Sequence, residues 1–144
     1  MFSLQLVNGV VQFRFDLGSG EGLVRVSSAM VSDSQWHEVH LVRDSNTARL
    51  TLDGKHVAHG SAPGANDVLN LQADDLYLGA EVRQHPSILG FEDVQRGFVG
   101  CMDDVRIDGV ALPLHMSGAT SLATLKRFTN VEFHCDQVRK ITEK

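Results

Sequence analysis

The run "VVQFRFDL" at residues 10–17 constrains the fold more than any other stretch of this chain. Val11, Phe13, Phe15 and Leu17 fall on one side of an extended backbone, and Gln12, Arg14 and Asp16 on the other. Successive side chains of a strand point to opposite faces, so a period of two describes a strand with one apolar and one polar face. Such a strand cannot stand alone. Its backbone groups need neighbouring strands, and its apolar face needs a second layer.

The rest of the sequence supplies both. Asn8-Gly9 separates "LQLV" from "VVQF", and this dipeptide tolerates the positive φ angles of a type I′ turn, so residues 3–17 read as a hairpin. "LVRVSS" is a further short strand. "WHEVHLVRD" alternates with Val39 and Leu41 on one face. "ARLTLDGKHVA" repeats the hairpin pattern, with Leu50 and Leu52 before Asp53-Gly54 and Val57 after it. "DLYLGA" and "CMDDVRIDGVAL" complete the set, the latter turning at Asp108-Gly109. Short strands between regular turn signals predict an all-β, antiparallel sandwich or barrel. The expected core is Phe13, Phe15, Leu17, Val39, Leu41, Leu50, Leu52, Leu76, Leu78, Val105 and Ile107, with Trp36 packed at a sheet edge or loop base. Only "SLATLKRF" at 121–128 has helical spacing, through Leu122, Leu125 and Phe128. Residues 83–97 lack a clean period and read as a long surface loop. The polar stretch 136–144 reads as a tail or linker.

Bulk properties narrow the function. The chain has 144 residues, of which 42% are apolar and 22% charged, the proportions of an ordinary globular domain. No apolar run approaches the roughly 18 residues that a membrane-spanning helix needs. The start "MFSLQLVNGVVQF" lacks the basic and apolar regions of a signal peptide, so a secreted protein would carry this chain as a piece of a longer precursor. Net charge is −5, and the four lysines and nine arginines are scattered. Nucleic acids and polyanions call for clustered positive charge, so no nucleic-acid partner is expected.

The reactive residue types leave several chemistries open. Cys101 and Cys135 can be a catalytic thiol, metal ligands or one disulfide; neither sits in a C-x-x-C motif, which argues against thioredoxin-like chemistry and a zinc ribbon. His37 and His40, like His56 and His59, are three positions apart in strand-patterned stretches. An odd separation on a strand sends side chains to opposite faces, so neither pair is expected to share a zinc ion. Adjacent Asp103 and Asp104 are unsuited to flanking one scissile bond for the same reason. "DLGSGEG" is glycine-rich, but no helix follows it to make a phosphate-binding turn.

Taken in order, these segments resemble a laminin G-like module, also called an LNS domain. "LQLVNGVVQFRFDLGSG" resembles the family's central hairpin and "VSDSQWHEVHLVRD" its D-x-x-W-H strand. "ARLTLDG" and "LYLGA" resemble its next hairpin and its L-Y-x-G-G element, with Ala80 in place of the second glycine. "GFVGCMDDVRIDGVALPL" resembles its G-F-x-G-C segment, and Cys135 stands where the family closes a C-terminal disulfide. The resemblance covers roughly residues 3–135 and implies a domain over 1–135. It implies a jelly-roll, concanavalin-like β-sandwich that lacks the family's first strands, which would leave strand edges exposed. "CMDDVRIDGVALPL" most resembles modules of large cadherin-type receptors of the Fat, Flamingo or invertebrate classical-cadherin kinds, with neurexin, laminin and agrin hosts beside them.

The resemblance implies a Cys101–Cys135 disulfide in an extracellular module. A closure of this length is worth about 3–4 kcal/mol in the chain-entropy account. A reactive thiol would need a thiolate-stabilising neighbour, whereas Asp103 and Asp104 disfavour an anion. The resemblance also implies one Ca²⁺ at a rim of the sandwich. Leu17 and Asn70 would supply carbonyl oxygens, and Gln72, or Asp74 in a shifted loop, a side-chain oxygen. The remaining ligand position falls at Met1 or outside the chain. Calcium is strengthened by anionic oxygen ligands, which this set mostly lacks, so a weak or metal-free rim is expected. The same rim, with Gly18, Ser19, Glu21, Asn66 and Asp67, is the expected partner-binding surface.

The implied function is non-catalytic recognition outside the cell. The partner would be a protein or glycan, and the host a larger membrane-anchored receptor. The alternative is a lectin or glycan-active enzyme on the same architecture. No acidic cluster alternates along one strand to support catalysis, and Trp36 and Tyr77 are the only Trp and Tyr available for sugar stacking.

Overall fold

Asn8 and Gly9 adopt φ angles of 52° and 76°. That left-handed pair reverses the chain between β1 (Phe2–Val7) and β2 (Val10–Asp16), which pair antiparallel from Phe2↔Phe15 to Val7↔Val10. The computed structural model describes residues 2–69, 76–79, 97–114, 131 and 135. β3 (Glu21–Arg25) adds to the other side of β2, giving a sheet of order β1-β2-β3. A second antiparallel sheet follows, of order β4-β5-β6, from β4 (Val39–Asp44), β5 (Thr47–Leu52) and β6 (His56–Ser61). Asp53 and Gly54, at φ 54° and 63°, make its second turn. β7 (Arg106–Ile107) and β8 (Val110–Ala111) form a hairpin around Asp108-Gly109. Every element among the described residues is a strand, in the antiparallel class that the alternation predicts.

The chain divides into two units, Met1–Phe98 and Val99–Lys144. In the first, the two three-stranded sheets share one core. Phe13, Phe15, Val24 and Val26 meet Ala48, Leu50, Leu52 and Ala62, all nearly inaccessible to water. Burial of a side chain such as Phe15 or Leu50 contributes about 1.5–3 kcal/mol. The layers approach closely where β3 crosses β6. A Cβ at Gly60 would collide with the Leu23 carbonyl oxygen, so any larger residue there would push the sheets apart.

The second unit is held differently. Its β7–β8 hairpin has two residues per strand, too few for independent stability. Cys101 and Cys135 are bonded, with Cα atoms 6.0 Å apart and a sequence separation of 34.

Several expected core positions are not core. Val39 and Leu41 do face inward, opposite Leu52 and Leu50, but among the described residues β4 is a sheet edge, and Val39 is exposed and Leu41 only half-buried. Leu76 and Leu78 are exposed and outside any strand, and Phe98 N donates to Gly79 O at 3.2 Å beside them. Ile107 is exposed and Val105 half-buried, because their short hairpin lies in the second unit and outside the buried cluster. Gln12 departs in the opposite direction: expected in solvent, it is 6% exposed. β2 is the central strand, and Gln12 is flanked on it by Gln5 of β1 and Arg25 of β3. Gln12 Nε2 donates to Gln5 Oε1 at 2.9 Å, and Arg25 Nη1 donates to Gln12 Oε1 at 3.3 Å, a polar row that follows the strand register. The row is incomplete, since the buried Gln5 Nε2 has no hydrogen-bond partner among the described residues.

Among the described residues β1 is an edge strand, and Leu4 is 51% exposed on it. The expected segment at 121–128, most of the loop at 83–97 and the tail at 136–144 lie outside the described residues.

Candidate functional site

The rim is built from two loops that leave the sheets at neighbouring ends. In the first, Asp16 closes β2 and turns its carboxylate onto the chain that follows. Its Oδ1 accepts from Gly18 N at 2.6 Å and Gly20 N at 3.3 Å. Side-chain capping of this kind fixes a turn without outside help. Gly20 has a φ of 121°, and a Cβ there would stand 2.8 Å from Pro63 Cγ, so the two loops touch at this point. Arg14 Nε and Nη2 grip the Glu21 carboxylate at 2.5 and 2.7 Å, a fork on the diagonal of the β2–β3 ladder, where Arg14 stands opposite Leu23.

The second loop runs from 62 to 69. Asn46 Nδ2 donates to Ala62 O at 3.1 Å, and Arg43 Nη1 donates to Asp67 O at 3.0 Å and to Ser45 O. Asn66 then reaches back across the rim. Its Nδ2 donates to Leu17 O at 3.2 Å and to Ser19 Oγ at 3.1 Å. Leu17, Gly18, Ser19, Glu21, Asn66 and Asp67 are thereby brought to one rim, with all but the buried Leu17 exposed. Asn70, Gln72 and Asp74 lie outside the described residues.

The described rim does not fit a calcium ion in this arrangement. The Leu17 carbonyl and the Ser19 hydroxyl face N–H groups of Asn66. Asp16 Oδ1 is directed to backbone amides and Glu21 to Arg14. Among the described residues, no group of three His, Cys, Asp or Glu side chains is placed to hold a metal.

Sequence reasoning missed two parts of this surface. Val68 is 61% exposed beside Asp67 and gives the rim an apolar contact point. Its signal was weak, since a lone valine in a polar loop has no period to read. Arg43 was legible only as one residue of a strand, yet it is the group that ties β4 to the second loop.

A separate polar cluster lies at the start of β4. His37 Nδ1 meets Asp53 Oδ2 at 2.8 Å, and His37 Nε2 meets Asp33 Oδ1 at 2.9 Å. Asp53 Oδ1 also accepts from Glu38 N, and Asp33 Oδ1 from Gln35 N, both at 2.9 Å. A ring with a carboxylate at each nitrogen is best satisfied when both nitrogens carry protons. The bond to Asp53, then that to Asp33, raises the His37 pKa, and the His37 bond lowers both aspartates. β4 begins at Val39, just after this clamp, and Trp36, expected at a sheet edge or loop base, is 66% exposed.

The clamp predicts a pH dependence. His37 has a raised folded pKa, so its contribution is complete below the ordinary value of 6.5 and is lost as pH rises through the folded value. The aspartates contribute above their ordinary 3.8 and lose that contribution as pH falls through their depressed values. Wild type should therefore exceed His37→Gln in melting temperature most clearly near about pH 5 to 6, and less by about pH 8. Melting curves of both proteins across that range check this; a constant difference would remove the ionic account of the clamp.

The antiparallel two-sheet core, the rim and the C-terminal disulfide together describe a laminin G domain, and residues 1–110 match the family description "Laminin G domain". The chain belongs to that family. It is 58% identical over 133 residues to the Fat-like cadherin-related tumor suppressor homolog of Drosophila melanogaster, covering 92% of this chain and 3% of that protein. Over 133 residues it is 41% identical to Protocadherin Fat 1 of Homo sapiens, with the same coverage of 92% and 3%. It is 30% identical over 119 residues to Neurexin 1 of Drosophila melanogaster, covering 79% of this chain and 6% of that one. The chain thus spans a small fraction of the length of these relatives.

Proposed function

We propose that this chain is a non-catalytic recognition module that acts outside the cell, within a larger membrane-anchored receptor, and binds a protein or glycan partner through the rim of residues 17–22 and 62–69. Residues 1–135 would form the module and 136–144 its connection onward. The observation that carries this reading is the rim itself: exposed loops whose backbones are pinned to the sheets by Asp16, Arg43, Asn46 and Asn66. Rigid sheets that hold loops of fixed shape are the usual platform for recognition. The Fat-like and neurexin relatives, and a disulfide suited to an oxidising compartment, support the extracellular setting.

Five of the described carboxylates are engaged within the fold: Asp33 and Asp53 hold His37, Asp104 holds Arg106, Glu21 holds Arg14, and Asp16 holds two amides. A glycan-active enzyme needs two carboxyl groups directed at one bond.

The test uses an Asp67→Lys, Val68→Asp variant, which alters the exposed part of the rim and leaves its internal bonds in place. Fluorescent wild-type chain should bind intact cells or a printed glycan library saturably. The variant should bind at least about tenfold more weakly, a loss of about 1.4 kcal/mol, with unchanged melting. Equal binding by both proteins would move the recognition surface elsewhere. Release of sugar from the library would favour the enzyme reading.

A further inference from the structure

We propose that the side-chain amide of Asn66 occupies the place of a cation between the two rim loops, so that the rim is set without metal. The amide presents two N–H groups to two oxygens, one carbonyl and one hydroxyl, at 3.2 and 3.1 Å. Each bond joins residues more than forty positions apart, since the sequence separations are 49 and 47. A cation would make the same connection, by gathering oxygens from both loops around a positive centre. Here the partial positive charge of an –NH₂ group does so, and it needs no anionic partner.

The surrounding charges agree with that role. A metal site would leave a carboxylate oxygen facing Leu17 O and Ser19 Oγ. Instead, Asp16 Oδ1 lies on the amides of Gly18 and Gly20, and both Glu21 oxygens lie on Arg14. The loop geometry closes around the amide: a Cβ at Gly18, where φ is 103°, would lie 3.5 Å from Asn66 Nδ2. A calcium ion approaching this point would meet hydrogen, not a lone pair, and would have to turn the amide first. The rim therefore keeps its shape at any calcium concentration, and recognition through it would be insensitive to chelators.

One substitution reverses the chemistry. In Asn66→Asp the donor amide nitrogen becomes an anionic oxygen placed against the Leu17 carbonyl, which can only accept, while the Ser19 hydroxyl can turn to donate to it. Without metal the carboxylate and the Leu17 carbonyl repel. With calcium these groups become an anionic ligand, a carbonyl and a hydroxyl around one ion. Asn66→Ala removes both bonds without adding charge.

Thermal melting in EDTA and in about 5 mM calcium decides the matter, a concentration above the range in which extracellular modules bind this ion. Wild type should melt within about 1 °C in the two buffers. Asn66→Ala should melt several degrees lower, roughly equally in both. Asn66→Asp should be lower still in EDTA and recover at least about half of its loss in calcium. A wild-type rise above about 2 °C in calcium, an Asn66→Ala that melts with wild type, or an Asn66→Asp indifferent to calcium would each overturn the proposal. Should Asn66→Asp fail to fold in either buffer, the first two proteins decide it. None of these readings involves a partner, so a failed binding screen and a failed latch are distinguishable.

Discussion

Replacement of Phe15 by alanine is expected to lower stability by about 3–5 kcal/mol, with a fall in melting temperature of roughly 10 °C or more. Phe15 has no exposed surface. Its ring stacks on Phe13 at 5.2 Å between centroids and lies over Gly22, where a Cβ would come within 2.8 Å of it. Glycine thus forms the seat of the ring, and loss of the ring leaves a cavity that neither Gly22 nor the flat sheet can fill. Because small domains are stable by only about 5–15 kcal/mol, one truncation removes a large share of the margin. Denaturant unfolding of Phe15→Ala against Phe15→Leu tests this account. Leucine keeps much of the volume and should recover a good part of the loss. If both variants unfold with wild type, Phe15 is not the centre of the core.

Reduction of the Cys101–Cys135 bond, or its replacement by two serines, is expected to disorder the second unit and leave the first folded. The chain-entropy account assigns about 3–4 kcal/mol to a closure of this size. The described residues of this unit have little else to oppose that loss. The β7–β8 hairpin is two residues long on each side, Ile107 is exposed, and the Arg106–Asp104 pair is exposed at both ends. An exposed ion pair contributes about 1 kcal/mol at most. Hydrogen exchange should show amides 105–112 exchanging freely after reduction, while those of β2 and β5 stay protected. Protection at Leu112 N, which donates to Val105 O at 2.8 Å, would mean that the hairpin holds without its covalent tie.

The two predictions have different histories in the sequence. Phe15 was legible because alternation is a local property: the position of Phe13, Phe15 and Leu17 on one face needs only the geometry of an extended chain. The turns at Asn8-Gly9, Asp53-Gly54 and Asp108-Gly109 were legible for a similar reason, since their positive φ angles depend on residue type. Val24, Val26 and Ala48 were not picked out as core. Their burial depends on which strands cross, and β3 over β6 is a pairing of layers that no local pattern encodes. Val39 shows the converse. Its inward face follows from the alternation, and its exposure from β4 standing at a sheet edge among the described residues.

The candidate site divides in the same way. Membership of the rim by Gly18, Ser19, Glu21, Asn66 and Asp67 came from the family resemblance, and the structure brings all five to one end. The use of each was hidden. Glu21 pairs with Arg14 through strand register, and Asn66 meets Leu17 only once two loops far apart in sequence are folded together.

By itself, then, the order of residues determined a chain of antiparallel strands with known turns, because alternation and left-handed dipeptides act over a few bonds. Tertiary structure alone decided which strands lie at edges, why Gln12 is buried and Trp36 is not, and that an amide bridges the rim. Those outcomes rest on contacts between segments that only the packed layers bring within hydrogen-bonding reach.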